Sequence, residues 1–209
     1  MWETSYIPSD IQVFYGGLEM RNERNWLGRA FLGMSLDGFI AREDGDLGWL
    51  ESLPRNVGHV TTSTDQPALD WERFFPEIDA LLMGRSTYEK ILTFADWPFP
   101  GLPVIVLSRT LQNNDPRVTV VRSVEKSIDV LSARQAREVY VDGGQTVQEF
   151  LRRGLIDELT VSIAPVVIGS GKSLFANMSR DITLTVRGSH VTSEGLVRIT
   201  YNVNRGGGD

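Results

Sequence analysis

The feature that most restricts this chain is an alternation. Between Asp79 and Val167, short Val- and Ile-rich runs take turns with amphipathic segments. "DALLMG", "LPVIVLS", "RVTVVR", "EVYVDGG" and "DELTVSIAPVV" are short and strongly apolar, whereas "RSTYEKIL", "SVEKSIDVLSARQA" and "QTVQEFLRRGL" carry apolar residues at helical spacing. Apolar strands of this kind are buried on both faces, which parallel strands joined by crossover helices achieve. The expected fold is α/β in three layers, with a mostly parallel central sheet. Upstream, "RAFLGMS" and "DGFIA" read as strands around a turn, and "REDGDLGW" and "HVTTSTDQP" as loops. "ALDWERFFPEI" reads as a short helix with Leu69, Phe74 and Phe75 inward. The end, "ITLTVRGSHVTSEGLVRITYNV", holds two period-two runs joined by "SEG", the pattern of an antiparallel hairpin closing the sheet edge.

Composition excludes several functions. The 209 residues, 41% of them hydrophobic, suffice for one large core. The formal net charge is -6 with both signs interspersed, so no broad basic face exists for nucleic acid. There is no cysteine, and the two histidines, His59 and His190, lack a neighbouring ligand at helical spacing, which disfavours metal catalysis. Residues 1–28 have no basic n-region or long apolar run, so they read as a flexible extension rather than a signal peptide or membrane span. The domain is expected over 29–204, followed by a disordered glycine-rich tail at 205–209, in a soluble cytoplasmic protein.

In open α/β sheets, ligands bind where parallel strands end and helix N-termini present unpaired N–H groups. Three junctions qualify. In "LLMGRSTYEKIL", Gly84 ends a strand, Arg85 follows, and Ser86 and Thr87 sit in the first helical turn, where Thr87 either caps the turn or donates to a phosphate. In "VIVLSRT", Ser108 and Arg109 lie just past a strand end. In "VYVDGGQTVQEFL", Gly143 and Gly144 permit close backbone approach ahead of a helix start. Taken singly, each is ordinary turn chemistry or a solvated arginine; together they suit an anionic ligand with more than one phosphate.

These segments, with "RVTVVRSVEKSIDVL", come in the order and spacing of the dihydrofolate reductase superfamily, and "GMSLDGFIA" is more similar to one branch of it. The acidic residue in "VDGG" resembles the branch containing the reductase domain of the bifunctional riboflavin-biosynthesis deaminase/reductase. The resemblance covers Arg29 to Val203 and implies a dihydrofolate reductase-like fold that binds NADPH. It assigns Gly84, Arg85, Ser86 and Thr87 to the cofactor phosphates. Ser108, Arg109 and Arg122 go to the adenosine 2′-phosphate, and Gly143, Gly144, Gln145 and Thr146 to the pyrophosphate and nicotinamide ribose. It also implies a homodimer through the C-terminal strands.

On the substrate side, Asp37 in "SLDG" is the candidate catalytic residue, able to bind a substrate hydroxyl or amine or to organise a protonating water; the alternative is a plain Asp37–Gly38 turn. Asp70 stands near the position of the carboxylate that grips the pterin in dihydrofolate reductases, or is simply a helix-start acid. Trp49 and Trp71 can stack on a flat heterocycle or serve as core. Phe39 replaces the lysine of the riboflavin branch, and the zinc-binding deaminase portion is not in this sequence. The activity implied is hydride transfer from NADPH to a small heterocyclic or carbonyl substrate, with a non-catalytic NADPH-binding regulator or sensor as the alternative. A nucleotide hydrolase reading of "VIGSGKSLF" fails, because a phosphate-binding loop needs glycine five positions before Gly171, where Val166 stands.

Overall fold

The computed structural model describes residues 24–51, 53, 66–112, 115–176 and 178–204. The expected extension up to residue 23, the tail at 205–209, His59 and most of the "HVTTSTDQP" loop lie outside the described residues. In chain order the elements are β1 (Leu27–Ser35), β2 (Phe39–Ala41), α1 (Gly48–Glu51), α2 (Trp71–Phe74) and a 3-10 turn (Phe75–Glu77). Then come β3 (Ala80–Gly84), α3 (Arg85–Ile91), β4 (Val104–Leu107), β5 (Val118–Val121), α4 (Val124–Ala133), β6 (Glu138–Asp142) and α5 (Gly144–Arg152). The chain finishes with β7 (Glu158–Ala164), β8 (Lys172–Ser173), β9 (Leu184–Val191) and β10 (Val197–Val203).

Eight strands form one sheet in the order β5-β4-β3-β6-β1-β7-β10-β9. The first six run parallel, and β10 is antiparallel to both β7 and β9. The alternation in the sequence becomes two cores. Leu81 and Met83 of β3 face one side with Phe74, Tyr88, Ile91 and Tyr140, under α2 and α3. Ala80 and Leu82 face the other with Val147, Phe150, Leu151 and Leu131, under α5 and α4. Each fully buried side chain of this size contributes roughly 1.5–3 kcal/mol. Ser123 starts α4 by accepting the Lys126 amide at 3.2 Å, an N-cap that satisfies one of the helix's unpaired donors.

The structure departs from the sequence reading in four places. The "ALDWERFFPEI" helix is only α2 and the 3-10 turn, because the Pro76 ring cannot continue an α-helical hydrogen-bond ladder. The "DGFIA" strand β2 leaves the main sheet and pairs with β8 in a separate two-stranded ribbon. A short helix, α1, interrupts the end of the "REDGDLGW" loop. Strand β7 stops at Ala164, since Pro165 has no N–H for a ladder. Packing also begins before Arg29: Trp26 is buried, and Arg24 stacks over it while bonding to the Leu155 carbonyl at 2.6 Å and Asp157 at 2.8 Å.

At the N-terminal ends of the strands sits a buried ionic knot. Arg29 of β1 donates through Nε to Glu158 of β7 at 2.8 Å and through Nη1 to Glu77 at 2.6 Å and Glu138 of β6 at 3.2 Å. Its Nη2 is 2.7 Å from Glu158, its guanidinium lies 5.0 Å from the Phe74 ring centre, and Arg187 of β9 also pairs with Glu158. One side chain thus ties together β1, β6, β7 and the 3-10 turn.

Candidate functional site

The parallel strands all end at the opposite edge, where Ser35, Gly84, Leu107, Val121, Asp142 and Ala164 are the last residues of β1, β3, β4, β5, β6 and β7. Every junction singled out in the sequence opens there. Two adjacent strands, β3 and β6, deliver interlocked turns. Gly143 has φ of 89°, and a Cβ on it would overlap Thr87 Oγ1. A Cβ on Gly84 would stand 2.7 Å from Thr146 Oγ1, and one on Gly144 would overlap the Ile40 side chain. The glycines are therefore fixed by crowding as much as by backbone angle, and Thr87 and Thr146 fill the space that they leave. Ser86 and Gln145 remain exposed beside them.

The next strand ends carry positive charge. Ser108 is buried, donates its amide to the Val121 carbonyl at 2.9 Å, and accepts the Leu111 amide on Oγ at 3.1 Å. Arg122 braces the same turn through Nη1, donating to the Ser108 carbonyl at 2.9 Å and the Leu111 carbonyl at 2.8 Å. Arg85 reaches it from α3, bonding Thr110 Oγ1 at 3.2 Å and Glu89 at 2.6 Å. Arg109 is exposed and makes no hydrogen bond or ion pair with the described residues. Three guanidinium groups surround one four-residue turn, and among the described acidic residues only Glu89 pairs with any of them, in a chain of net charge -6. Such a local excess is the donor set that a phosphate monoester requires.

Asp37 belongs to a third corner. Its Oδ1 accepts the Ser35 hydroxyl at 2.6 Å and the Ile168 amide at 3.3 Å, and its Oδ2 accepts the Gly169 amide at 2.8 Å. The Ser35 hydrogen bond leads in holding the carboxyl below its usual range, with the two amides adding to it. Gly38 has φ of 85° and donates its amide to the Ser35 carbonyl at 2.9 Å, so the Asp37–Gly38 turn exists and the carboxylate clamps the 165–171 turn to it. "GSGKS" is that turn: Gly171 lies so close to the Ala41 carbonyl that a Cβ would overlap it, and Lys172 and Ser173 form β8.

Between these corners lies a face of mixed character on β6, β1, β7 and β10. Asp142, whose Oδ1 accepts the Gly143 amide at 2.8 Å, is pushed up from its usual pKa by burial. Tyr140 lies beside it and donates its hydroxyl to the Phe31 carbonyl at 3.0 Å. Trp71 meets Phe31 and Tyr140 edge-on, with centroids 5.5 and 5.8 Å away, and stays 37% exposed. Asp70 is paired: Arg198 Nη1 donates to its Oδ1 at 2.6 Å, and His190 Nε2 stands 3.2 Å from the same oxygen. Trp49 is buried in α1 and lines, with Arg42, Leu53 and Val166, an open cleft of about 410 Å³.

The sequence reading singled out Asp37, Asp70 and Trp49 on this side and overlooked Asp142, Ser162, His190 and Arg198 as site residues. A signal existed: Thr160 and Ser162 interrupt the apolar run of β7 at alternate positions, and Arg198, Thr200 and Asn202 do so on β10.

Residues 28–198 match the model of the RibD C-terminal domain family. The Bacillus subtilis protein YwjB, itself uncharacterized, is 27% identical over 164 residues, covering 76% of this chain and 88% of that protein. Among solved structures, a putative riboflavin biosynthesis protein from Shewanella sp. PV-4 is 34% identical, with a TM-score of 0.72 over 86% of this chain and 99% of that one. Dihydrofolate reductase from Enterococcus faecalis, solved with NADP(H), superposes with a TM-score of 0.57 over 86% of this chain and 97% of that one; at 17% identity it shows a shared fold.

Proposed function

Because the chain belongs to the RibD C-terminal domain family, we propose that it is an NADPH-dependent reductase acting on a small heterocyclic or carbonyl substrate. The observation that carries this reading is the positive turn at 108–111, set one strand away from the glycine-rich β3 and β6 ends. NADPH, when bound, supplies the hydride; the remaining work falls to the protein.

Arg109, assisted by the Ser108 hydroxyl and the unpaired donors of Arg122 and Arg85, binds the 2′-phosphate. The amides that open α5 after Gly143, and the exposed Ser86 and Gln145 side chains, receive the pyrophosphate. Arginine suits the first task because its charge is permanent and its planar fork matches a phosphate. Asp142 is the group assigned to deliver the proton to the reduced substrate: burial raises its carboxyl from the ordinary carboxylate value, the direction a general acid requires. Asp37 shapes the wall by pinning the 165–171 turn to the end of β1.

Titration calorimetry tests this reading. NADPH is expected to bind at least about tenfold more tightly than NADH, the value of one charge-assisted hydrogen bond, and Arg109→Ala to erase most of that preference. Equal or absent binding of the two cofactors would overturn the assignment. In a screen of pterins, pyrimidines and quinones that follows NADPH oxidation, Asp142→Asn is expected to lose turnover while keeping cofactor affinity. Cofactor binding without turnover on any of them favours a regulator or sensor.

A further inference from the structure

We propose that Tyr140 is a positioning residue for proton delivery at this site: its single hydroxyl proton serves two acceptors, the Phe31 carbonyl and the Asp142 carboxyl, and turns to Asp142 as that group releases its own proton. The inference rests on the reductase reading for the task of Asp142, and on the parting of β1 from β6 for the place of Tyr140.

The main sheet opens between these two strands. The parallel register of β1 with β6 runs from Leu27 opposite Glu138 to Arg29 opposite Tyr140 and stops there. Above that level β1 stays paired with β7 as far as Ser35, and β6 stays paired with β3 as far as Asp142. Continued by two residues, the β1–β6 register would set Phe31 opposite Asp142. The Phe31 carbonyl is where the Tyr140 hydroxyl donates, at 3.0 Å. The phenol therefore reaches up the split to the level of the residue two places ahead on its own strand. Residues two apart on a strand share a face, so the Asp142 side chain stands over it, and hydroxyl and carboxyl act on each other.

The two acceptors claim one proton in turn. While Asp142 is neutral, the backbone carbonyl holds it, as in the structure. Once Asp142 has passed its proton to the substrate, a carboxylate remains in a partly buried place that solvates charge poorly. A hydrogen bond to a charged acceptor is roughly twice as strong as one to a neutral acceptor, so the hydroxyl turns. Apart from burial, only the Gly143 amide and the Tyr140 hydroxyl act on Asp142, and both favour its charged form. No charged side chain contributes: Arg85 of α3 is engaged by Glu89 and Thr110, and the first turn of α5 carries no acid. Tyr140 stays protonated throughout, because burial and the adjacent carboxyl push its own pKa well up. The transferred proton thus leaves the Asp142 oxygen for the substrate, and the tyrosine only redirects a hydrogen bond. An interaction that strengthens as the proton departs stabilises the transition state more than the resting protein.

Two titrations of the protein without NADPH decide it. The first follows the Asp142 carboxyl carbon by NMR, assigned through Asp142→Asn, and the same spectra report whether each variant is folded. Tyr140→Phe keeps the ring packed against Phe74 and Trp71 and is expected to raise the Asp142 midpoint by about one pH unit or more, a tenfold change in proton affinity. In the second, with 3-fluorotyrosine at position 140, the fluorine resonance should titrate at the Asp142 midpoint and lose that step in Asp142→Asn. A midpoint unmoved or lowered by Tyr140→Phe, or a fluorine signal blind to Asp142, overturns the proposal. Turnover gives a third readout, on whichever pterin, pyrimidine or quinone is reduced in the screen. Tyr140→Phe should lower kcat about tenfold, leave KM for NADPH unchanged and move the alkaline limb of the kcat profile upward; an unchanged kcat overturns the proposal as well. Coupled titration in a protein with no affinity for NADPH leaves the exchange between Tyr140 and Asp142 standing and sinks the reductase reading instead.

Discussion

Arg29 and Arg198 are two nearly buried arginines on one face of the same sheet, each lying over a phenylalanine at about the same distance, 5.0 and 5.1 Å. Their surroundings differ in one respect. Arg29 is enclosed by Glu77, Glu138 and Glu158, and Nε, Nη1 and Nη2 all have a carboxylate partner. Among the described residues Arg198 bonds one carboxylate and one hydroxyl, with Glu194 acting on it only at longer range, and its bonded carboxylate is 44% exposed. The first arginine is spent on holding strands together, and the second keeps capacity for something outside the chain. A cation with more acids around it than it needs is structural; one with fewer is available.

Substitution should separate the two sharply. Arg29→Met leaves Glu138 and the half-exposed Glu77 without a cation and Glu158 with Arg187 alone, and removing one partner from a largely buried ionic cluster costs about 3–5 kcal/mol. Chemical denaturation is expected to show a loss of that size, or no folded protein at all; a change below about 1 kcal/mol would erase the distinction between the two sites. Arg198→Met releases only Asp70, which water can reach, and Ser162, so a loss of about 1 kcal/mol is expected by the same measurement. An equal loss at both positions would make Arg198 a structural residue.

The smallest effect is the share of the pH dependence that comes from the Arg29 knot. Glu138 sits in it with its carboxyl raised above the usual value, burial outweighing the pull of Arg29. A carboxyl raised in the folded state binds its proton more tightly there than in the unfolded chain. Its contribution is therefore complete below the ordinary carboxylate value and is lost as pH rises through the higher folded one. Glu138→Gln should flatten that segment of the stability–pH curve, measured by denaturation at fixed intervals of pH. A curve identical to that of the parent would remove Glu138 as the source.

The two halves of the site were unequally legible in the sequence. Gly84, Gly143 and Gly144 announce themselves because strand-to-helix turns are local: the residue that needs the unusual φ or the close approach is the one that shows it. Arg85 and Arg109 lie one and two residues past strand ends and are found by the same rule, whereas Arg122 is assigned only through the family resemblance. Asp70, by contrast, acquires its meaning from Arg198, 128 residues away, and Asp37 from Gly169, 132 residues away. Period-two patterning says that Arg198 and Thr200 share a face, yet it does not say that β10 inserts between β7 and β9. Nor could helical spacing have revealed that Asp70 precedes a helix of four residues whose continuation Pro76 forbids. Local turn chemistry is written in neighbouring residues; a charge network is written in the topology.

That topology also dictates the order in which the molecule can be made. Strand β1 lies between β6 and β7, and Arg29 must wait for Glu158, 129 residues downstream. During synthesis the first strand therefore emerges long before either neighbour exists, and the sheet's far side stays open until β10 arrives between β7 and β9. Contacts of such long range place the fold among slowly folding architectures, in which the entropy of closing large loops is spent before pairing returns it. The apolar residues of β1 thus lack their strand partners for most of translation, and transiently exposed apolar surface of this kind is prone to aggregate until the last strands are complete.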